Sequence, residues 1–241
     1  MDTIATRLES VKLRIAEAAK LAGRDPQEIL LLAASKTNQP DKLREAWNAG
    51  QKVFGENYLQ EGLIKIHALS DLPIEWHFIG PIQSNKTKPI AENFAWVHSI
   101  DREKIAVRLA SARPESLPPL QVCVQVNVSG EVTKSGIAPE DAIALAKFIS
   151  QQPRLKLRGL MAVPELTSAT ALQRDQFQIM RNIFDELKKQ GFDVDTLSMG
   201  MSEDMTIAIA EGATIVRIGT AILDPDVTLF PRSSPSRVIN L

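Results

Sequence analysis

A lysine directly behind an unbroken apolar run is a candidate for carbonyl chemistry, and Lys36 follows Leu30 to Ala34 with only Ser35 between. Apolar surroundings disfavour an ammonium and lower its pKa. A partly deprotonated amine can attack an aldehyde. The ordinary alternative is a surface charge at a strand end. Two later segments have anion-binding chemistry. In Leu197-Ser198-Met199-Gly200-Met201-Ser202, the glycine permits close backbone approach, and Ser202 is placed to cap a helix beginning at Glu203 and Asp204. Helix N-terminal amides attract anions, although two acidic residues in the first turn oppose one slightly. In Arg217-Ile218-Gly219-Thr220, a second close-approach glycine stands beside a hydroxyl and a cation able to bind an anion bidentately. The bland reading is that small residues and caps occur at many turns, and that Arg217 pairs with a buried carboxylate.

Other polar residues follow apolar runs. Asn57, in Gly55-Glu56-Asn57-Tyr58, and His77, in Trp76-His77-Phe78-Ile79-Gly80, could contact a ring held near Lys36, or could serve the protein interior. Metal chemistry is not expected, because His67 falls in a helical segment, His98 in a strand, and the single cysteine, Cys123, lies in an apolar run that suits a buried thiol. The sequence contains neither a phosphate-loop GxxxxGK nor a Gly-x-Ser-x-Gly nucleophile elbow.

These residues need a scaffold that gathers strand ends. Ile4, Leu8, Val11, Ile15, Ala18 and Ala22 recur at helical spacing before Gly23, which predicts an opening helix. Strands are then expected at Leu30 to Ala34, Lys52 to Gly55, Glu75 to Ile79, Trp96 to Ile100, Leu120 to Val126, Leu157 to Met161, Thr196 to Met199 and Ile215 to Ile218. Helical punctuation separates them, as with Pro139 before Glu140 and Asp141, and the stripe Phe177, Met180, Phe184 and Leu187 before Gly191. Eight strand-helix units in 241 residues predict an α/β fold, a single (β/α)8 barrel of TIM type. Such barrels typically need about 250 residues. An open doubly wound sheet fits less well: it usually has fewer strands and often a glycine-rich first turn, where this chain has Ser35-Lys36-Thr37-Asn38. One domain over 1–241 is expected, with 224–241, containing Pro225, Pro231 and Pro235, as an irregular tail.

Barrel sites lie at the C-terminal strand ends, with phosphate commonly held after strands seven and eight. Ser198, Met199, Gly200, Arg217, Gly219 and Thr220 fall there, at the same mouth as Lys36. An amine for an aldehyde and a cup for a phosphate are the two requirements of pyridoxal 5'-phosphate (PLP). Composition narrows the partners. The formal charge of −1 leaves no basic excess for nucleic acid, and the apolar residues, 44% of the chain, form no uninterrupted membrane-length run. The N-terminus shows no basic segment followed by an apolar stretch, so a cytoplasmic soluble protein is expected.

Taken together, Ala34-Ser35-Lys36-Thr37, Phe54-Gly55-Glu56-Asn57-Tyr58, His77-Phe78-Ile79-Gly80 with Gln83 and Asn85-Lys86, Val126-Asn127 with Ser129-Gly130-Glu131 and Lys134-Ser135-Gly136, Gly159-Leu160-Met161, and the two phosphate segments resemble the pyridoxal phosphate homeostasis proteins (YggS-like or PROSC-like). That family in turn resembles the N-terminal barrel of alanine racemase and the bacterial ornithine decarboxylases of that fold type. The resemblance implies a fold-type III PLP barrel with the cofactor as a Schiff base on Lys36. It places Ser198, Gly200, Gly219 and Thr220 around the phosphate, and Arg217 facing either phosphate or ring nitrogen. It implies a monomeric carrier that holds or transfers PLP, with PLP-dependent apoenzymes as recipients, an influence on amino-acid and keto-acid balance, and no catalytic residues. The alternative is a weak amino-acid racemase, which needs a second base opposite the lysine. One departure is that Ala221-Ile222-Leu223-Asp224-Pro225-Asp226 replaces the family's usual Ala-Ile-Phe-Gly and basic residue.

Overall fold

The computed structural model describes residues 2–131, 134–164 and 169–224. Its strands are β1 (Leu30–Ala34), β2 (Val53–Glu56), β3 (Glu75–Phe78), β4 (Trp96–Ile100), β5 (Leu120–Gln125), β6 (Leu155–Met161), β7 (Thr196–Ser198) and β8 (Ile215–Ile218). They form a closed parallel barrel in sequence order, with β1 paired to both β2 and β8. The helices are α1 (Ile4–Leu21), α2 (Pro40–Asn48), α3 (Leu59–Ala68), α4 (Thr87–Asn93), α5 (Glu103–Ala112), α6 (Ala142–Ser150), α7 (Thr170–Lys189), α8 (Met205–Ala210) and α9 (Thr220–Leu223). The expected strands and opening helix are found, with strand ends shifted by one or two residues. The tail beyond Asp224 lies outside the described residues.

Alternation along each strand sorts side chains between two cores. Leu31, Ala33, Trp76, Phe78, Val122, Val124, Val216 and Ile218 join the large apolar cluster between strands and helices. Their neighbours on the opposite faces differ in kind. Cys123 and Met161 pack with Trp96 in a small separate cluster. His77, His98, Ser198 and Arg217 are buried polar groups. His98 on β4 bonds Ser198 on β7, strands that are not neighbours in the ring, so these side chains meet across the lumen.

The opening helix does more than cover apolar surface. Thr3 caps α1 by accepting from Thr6 N at 3.2 Å, and the buried stripe Ile4, Leu8, Val11, Ile15 packs inward as the spacing predicts. From the same segment Arg7 donates to Ile222 O at 2.9 Å, Arg14 to Ser202 O at 3.1 Å, and Arg24 to Ile209 O and Ala213 O at 2.9 and 2.7 Å. These carbonyls belong to α8, α9 and their loops, so α1 tethers the segments that follow β7 and β8.

The tightest point in the wall is Gly159 on β6, where φ is +151° and a Cβ would overlap the carbonyl of Thr196 on β7. The β5–β6 register shifts at the neighbouring Val122/Cys123 step. Gly159→Ala combines backbone strain with a backbone clash and is expected to cost about 2–4 kcal/mol. Urea unfolding measures this, and a loss below about 0.5 kcal/mol would mean that β6 and β7 part easily.

Candidate functional site

The loop that carries Lys36 is a tight turn. Asn38 N donates to Ser35 O at 3.1 Å, which places Lys36 and Thr37 at the two central positions, and Thr37 has φ +62°. A left-handed conformation is uncommon for a β-branched residue. The carbonyl of Lys36 accepts from Thr37 Oγ1 at 2.6 Å and from Asn38 Nδ2 at 3.1 Å. The Lys36 side chain is exposed at the barrel mouth, so the desolvation anticipated from the preceding apolar run ends at the buried Ser35. Asn57, half-buried just past β2, lies on the next strand end around the rim.

On the other side of β1, Ala33 pairs with Ile218, so the chain beyond β8 runs beside the chain approaching Lys36. A Cβ on Gly219 would come within 2.6 Å of Ala34 O, and only glycine allows this approach. Gly219 leads directly into the single turn of α9, in which the Ile222 and Leu223 amides close back on Gly219 O at 2.9 and 3.0 Å. Thr220 is exposed there, offering its hydroxyl. The neighbouring loop contributes Met199 and Gly200. Gly200 has φ +98° and packs so closely that a Cβ would sit 2.6 Å from that of Ala208. The expected cap is corrected here. Ser202 does not cap a helix beginning at Glu203; α8 begins at Met205, and Asp204 Oδ1 instead accepts from Met201 N at 2.5 Å. Burial raises the pKa of the Asp204 carboxyl, with the Met201 amide and Arg217 opposing.

Arg217 does not reach into this cup. Its Nη1 donates to Ser198 O at 2.6 Å and to Ser198 Oγ at 2.8 Å, and Nη2 donates to Ala162 O at 2.7 Å. The guanidinium therefore spans the C-terminal ends of β6 and β7 as part of the mouth's floor, and burial lowers its pKa to about 10, so it remains charged at neutral pH. Nor does it hydrogen-bond to a carboxylate: the buried acid expected as its alternative partner is replaced by carbonyls and a hydroxyl.

Ser198 and His77 belong to a buried chain of hydrogen bonds that the sequence reading did not anticipate. Ser198 Oγ lies 2.8 Å from His98 Nδ1, His98 Nε2 lies 2.9 Å from His77 Nδ1, and His77 Nε2 lies 2.9 Å from Glu75 Oε1. The hydrogen bond from His77 lowers the Glu75 pKa, so Glu75 is an acceptor and His77 Nε2 carries a proton. Burial lowers the pKa of His77 and lowers that of His98 much further, which keeps both rings neutral. Polarity then follows at each junction. His77 Nδ1 accepts from His98 Nε2–H, His98 Nδ1 accepts from the Ser198 hydroxyl, and Ser198 Oγ accepts from Arg217. Both rings of the chain are Nε2–H tautomers. His77, stacked on Trp96 with ring centroids 5.1 Å apart, thus has both nitrogens engaged inside the barrel and serves the interior, the second of its two sequence readings. The sequence places His98 on a strand but carries no local signal of its role, because its partners are 21 and 100 residues away.

Lys36, Asn57, Met199, Gly200, Gly219 and Thr220 are brought to one rim, with Arg217 and the Ser198 carbonyl beneath. No group of three or more metal-ligating side chains occurs among the described residues. No helix among them is long and apolar enough to cross a membrane.

The family profile described as alanine racemase, N-terminal domain, matches residues 12–224. A protein of Pseudomonas aeruginosa named pyridoxal phosphate homeostasis protein is 59% identical over 222 residues, covering 92% of this chain and 95% of that one. Among solved structures, PipY of Synechococcus elongatus PCC7942 with PLP bound superposes with a TM-score of 0.79 at 36% identity, covering 92% of this chain and all of that one. An alanine racemase of Clostridium difficile shares the fold alone, with a TM-score of 0.70 at 11% identity, and this chain covers 56% of it.

The polarity of the buried chain is directly measurable. In proton–nitrogen correlation spectra of the histidine side chains at pH 7.5, His77 and His98 should be neutral Nε2–H tautomers, and each should take up its proton at lower pH than a free imidazole. Their unfolded forms take up protons below about pH 6.5, so their joint contribution to stability falls with acidification, by up to about 1.4 kcal/mol per pH unit for each histidine. Urea unfolding of wild type and a His77→Phe/His98→Phe double variant at pH 5.5 and 7.5 isolates that slope. A charged ring at pH 7, or equal slopes in both proteins, contradicts the assignment.

Proposed function

Since the chain belongs to the alanine racemase N-terminal domain family, among its pyridoxal phosphate homeostasis proteins, we propose that it binds PLP reversibly at Lys36 and buffers or passes on the cofactor rather than catalysing with it. The observation that carries this reading is the adjacency of the Lys36 turn to the Gly219 loop across the β1–β8 pair. PLP carries its aldehyde and its phosphate arm on neighbouring ring carbons, so its amine and its anion cup must also be neighbours. The close backbone approach that glycine permits at Gly219 and Gly200 leaves the mouth lined by backbone there. When bound, PLP supplies an aldehyde that condenses reversibly with a primary amine.

The protein's own groups divide the remaining work. Lys36 presents the amine from the exposed turn. Gly200, Gly219 and Thr220, with Met199 beside them, offer backbone and a hydroxyl to a phosphate. Asn57 is placed on the opposite neighbour of β1 to hydrogen-bond a ring substituent. Arg217 stands on the floor as a cation, which opposes protonation of a basic nitrogen set against it and so weakens electron withdrawal by such a ring.

The carrier reading rests on the want of a second base at the mouth among the described residues. Burial pushes the Cys123 thiol far above its ordinary range, which leaves it inert. Tyr58 is exposed just beyond β2, on the Lys36 side of the mouth. His77 and His98 point along their own chain of hydrogen bonds. PLP-dependent apoenzymes are the natural recipients of cofactor released from such a site, and a cytoplasmic location beside them belongs to the same reading.

Purified protein mixed with PLP should turn yellow, with a visible absorption band that free protein lacks. Borohydride should fix the added mass on Lys36, and Lys36→Ala should lose that adduct. Gly219→Val should weaken retention about tenfold or more, because its side chain collides with Ala34 O and forces the loop after β8 away from the Lys36 turn. In deuterium oxide the loaded protein should leave the α-hydrogen of alanine unexchanged. Rapid stereospecific exchange would establish the racemase instead, and a wild type that stays unlabelled in excess PLP would remove the cofactor reading.

A further inference from the structure

Behind the Lys36 turn lies a buried charged cluster with no part in the phosphate cup. Lys65, on α3, is 5% exposed and Glu56, at the end of β2, is fully buried. Lys65 Nζ donates to Ser35 O at 2.7 Å and to Glu56 Oε1 at 2.8 Å. The Ser35 hydroxyl donates to the same Glu56 oxygen. One turn earlier on α3, Glu61 Oε2 accepts from Thr37 N at 3.1 Å and lies 3.9 Å from Lys65 Nζ. Three side chains from one β–α unit thus hold atoms on both sides of Lys36: the carbonyl and hydroxyl of Ser35 and the amide of Thr37.

The arrangement is a poor device for stability alone. A buried ion pair gains little over an apolar pair of the same volume, because both charges lose their hydration. This one leaves Glu56 Oε2 buried without a hydrogen-bond partner, and desolvation raises the Glu56 pKa despite Lys65. What it touches is the one turn whose central Thr37 has positive φ, and a strained residue persists only where its surroundings over-determine it.

We infer that Glu56, Glu61 and Lys65 are positioning residues, a clamp that holds the Ser35–Asn38 turn so that the Lys36 amine is presented in one orientation. The inference rests on the proposed role of Lys36 but is testable without it. Glu61, partly exposed, can be changed without leaving a buried charge unpaired. Glu61→Ala should speed hydrogen exchange at the Thr37 amide at least about tenfold in cofactor-free protein, and slow covalent uptake of PLP on Lys36 about tenfold, through lost orientation. Adding Thr37→Gly should restore the uptake rate, because glycine adopts the positive φ unaided. That rescue separates positioning from a general loss of stability. The paired change Glu56→Gln/Lys65→Met, which removes both buried charges together, should slow uptake similarly, with circular dichroism checking the fold.

Unaltered Thr37 exchange in Glu61→Ala overturns the clamp whether or not PLP binds. Wild-type uptake rates in Glu61→Ala, or slow uptake that Thr37→Gly does not restore, overturn it as well. A wild type that takes up no PLP while Thr37 exchange responds as expected refutes the cofactor reading and leaves the clamp standing.

Discussion

The pairing of β8 with β1 is the constraint on which the rest of this structure depends. Leu30 to Ala33 lie against Ile215 to Ile218 in parallel register, and this seam brings the end of the chain's eighth unit beside the end of its first. Parallel strands joined by helices place all their C-terminal ends at one rim, so no local feature of Lys36 or Gly219 has to encode their proximity. Their separation along the chain is removed by barrel closure alone. The approach at Ala34 is close enough that only glycine fits at 219, which ties the seam to the cup by sterics as well as topology.

Closure also creates a lumen, and this lumen is unusually polar. A buried guanidinium is costly unless its donors find acceptors. Arg217 finds the carbonyls of Ser198 and Ala162 and the hydroxyl of Ser198. The hydroxyl in turn needs an acceptor for its own proton, which His98 supplies; His98 needs one in His77, and His77 ends on Glu75, half-exposed at the far end of the barrel. The polar interior is thus a sequence of obligations that begins at Arg217 and is discharged in solvent. Each neutral histidine both donates and accepts, and a protonated ring, which only donates, would break the order. The same logic explains why burial alone does not leave these groups orphaned: none of the four appears among the unpartnered buried atoms.

The eight strands were legible because buried parallel strands read as apolar runs ended by polar residues, a pattern local to each unit. The close-approach glycines were legible for the same reason, since Gly219 and Gly200 stand at fixed places after β8 and β7. Resemblance to a known family added Lys36's chemical role, which spacing alone left open. What stayed hidden was set by pairings distant in sequence. Nothing near Arg217 announces that it turns toward β6 and β7, and nothing near Ser202 announces that Asp204 will take the Met201 amide and delay α8 to Met205. Nothing near Lys65 distinguishes it from a surface charge on a helix, and its burial follows only from the way α3 packs across Ser35.

The clamp and the cup solve different halves of one problem. A carrier must hold a reactive aldehyde firmly enough to keep it from other amines, yet by a bond that reverses. On the proposed reading, covalent attachment through an exposed lysine would supply reversibility, because solvent and competing amines can reach the linkage. Neutral amides and hydroxyls supply retention without a strong ion pair. Arg217, the cation that the sequence offered to the phosphate, is instead committed to the floor. If the turn were slack, the amine would have to be ordered at each binding event, at an entropic cost that grows with every freed torsion. Fixing Ser35 and Thr37 on either side of Lys36 moves that cost into folding, where the packing of α3 against β2 meets it. The side chain of Lys36 beyond its Cα then remains the only part that must order when the aldehyde arrives.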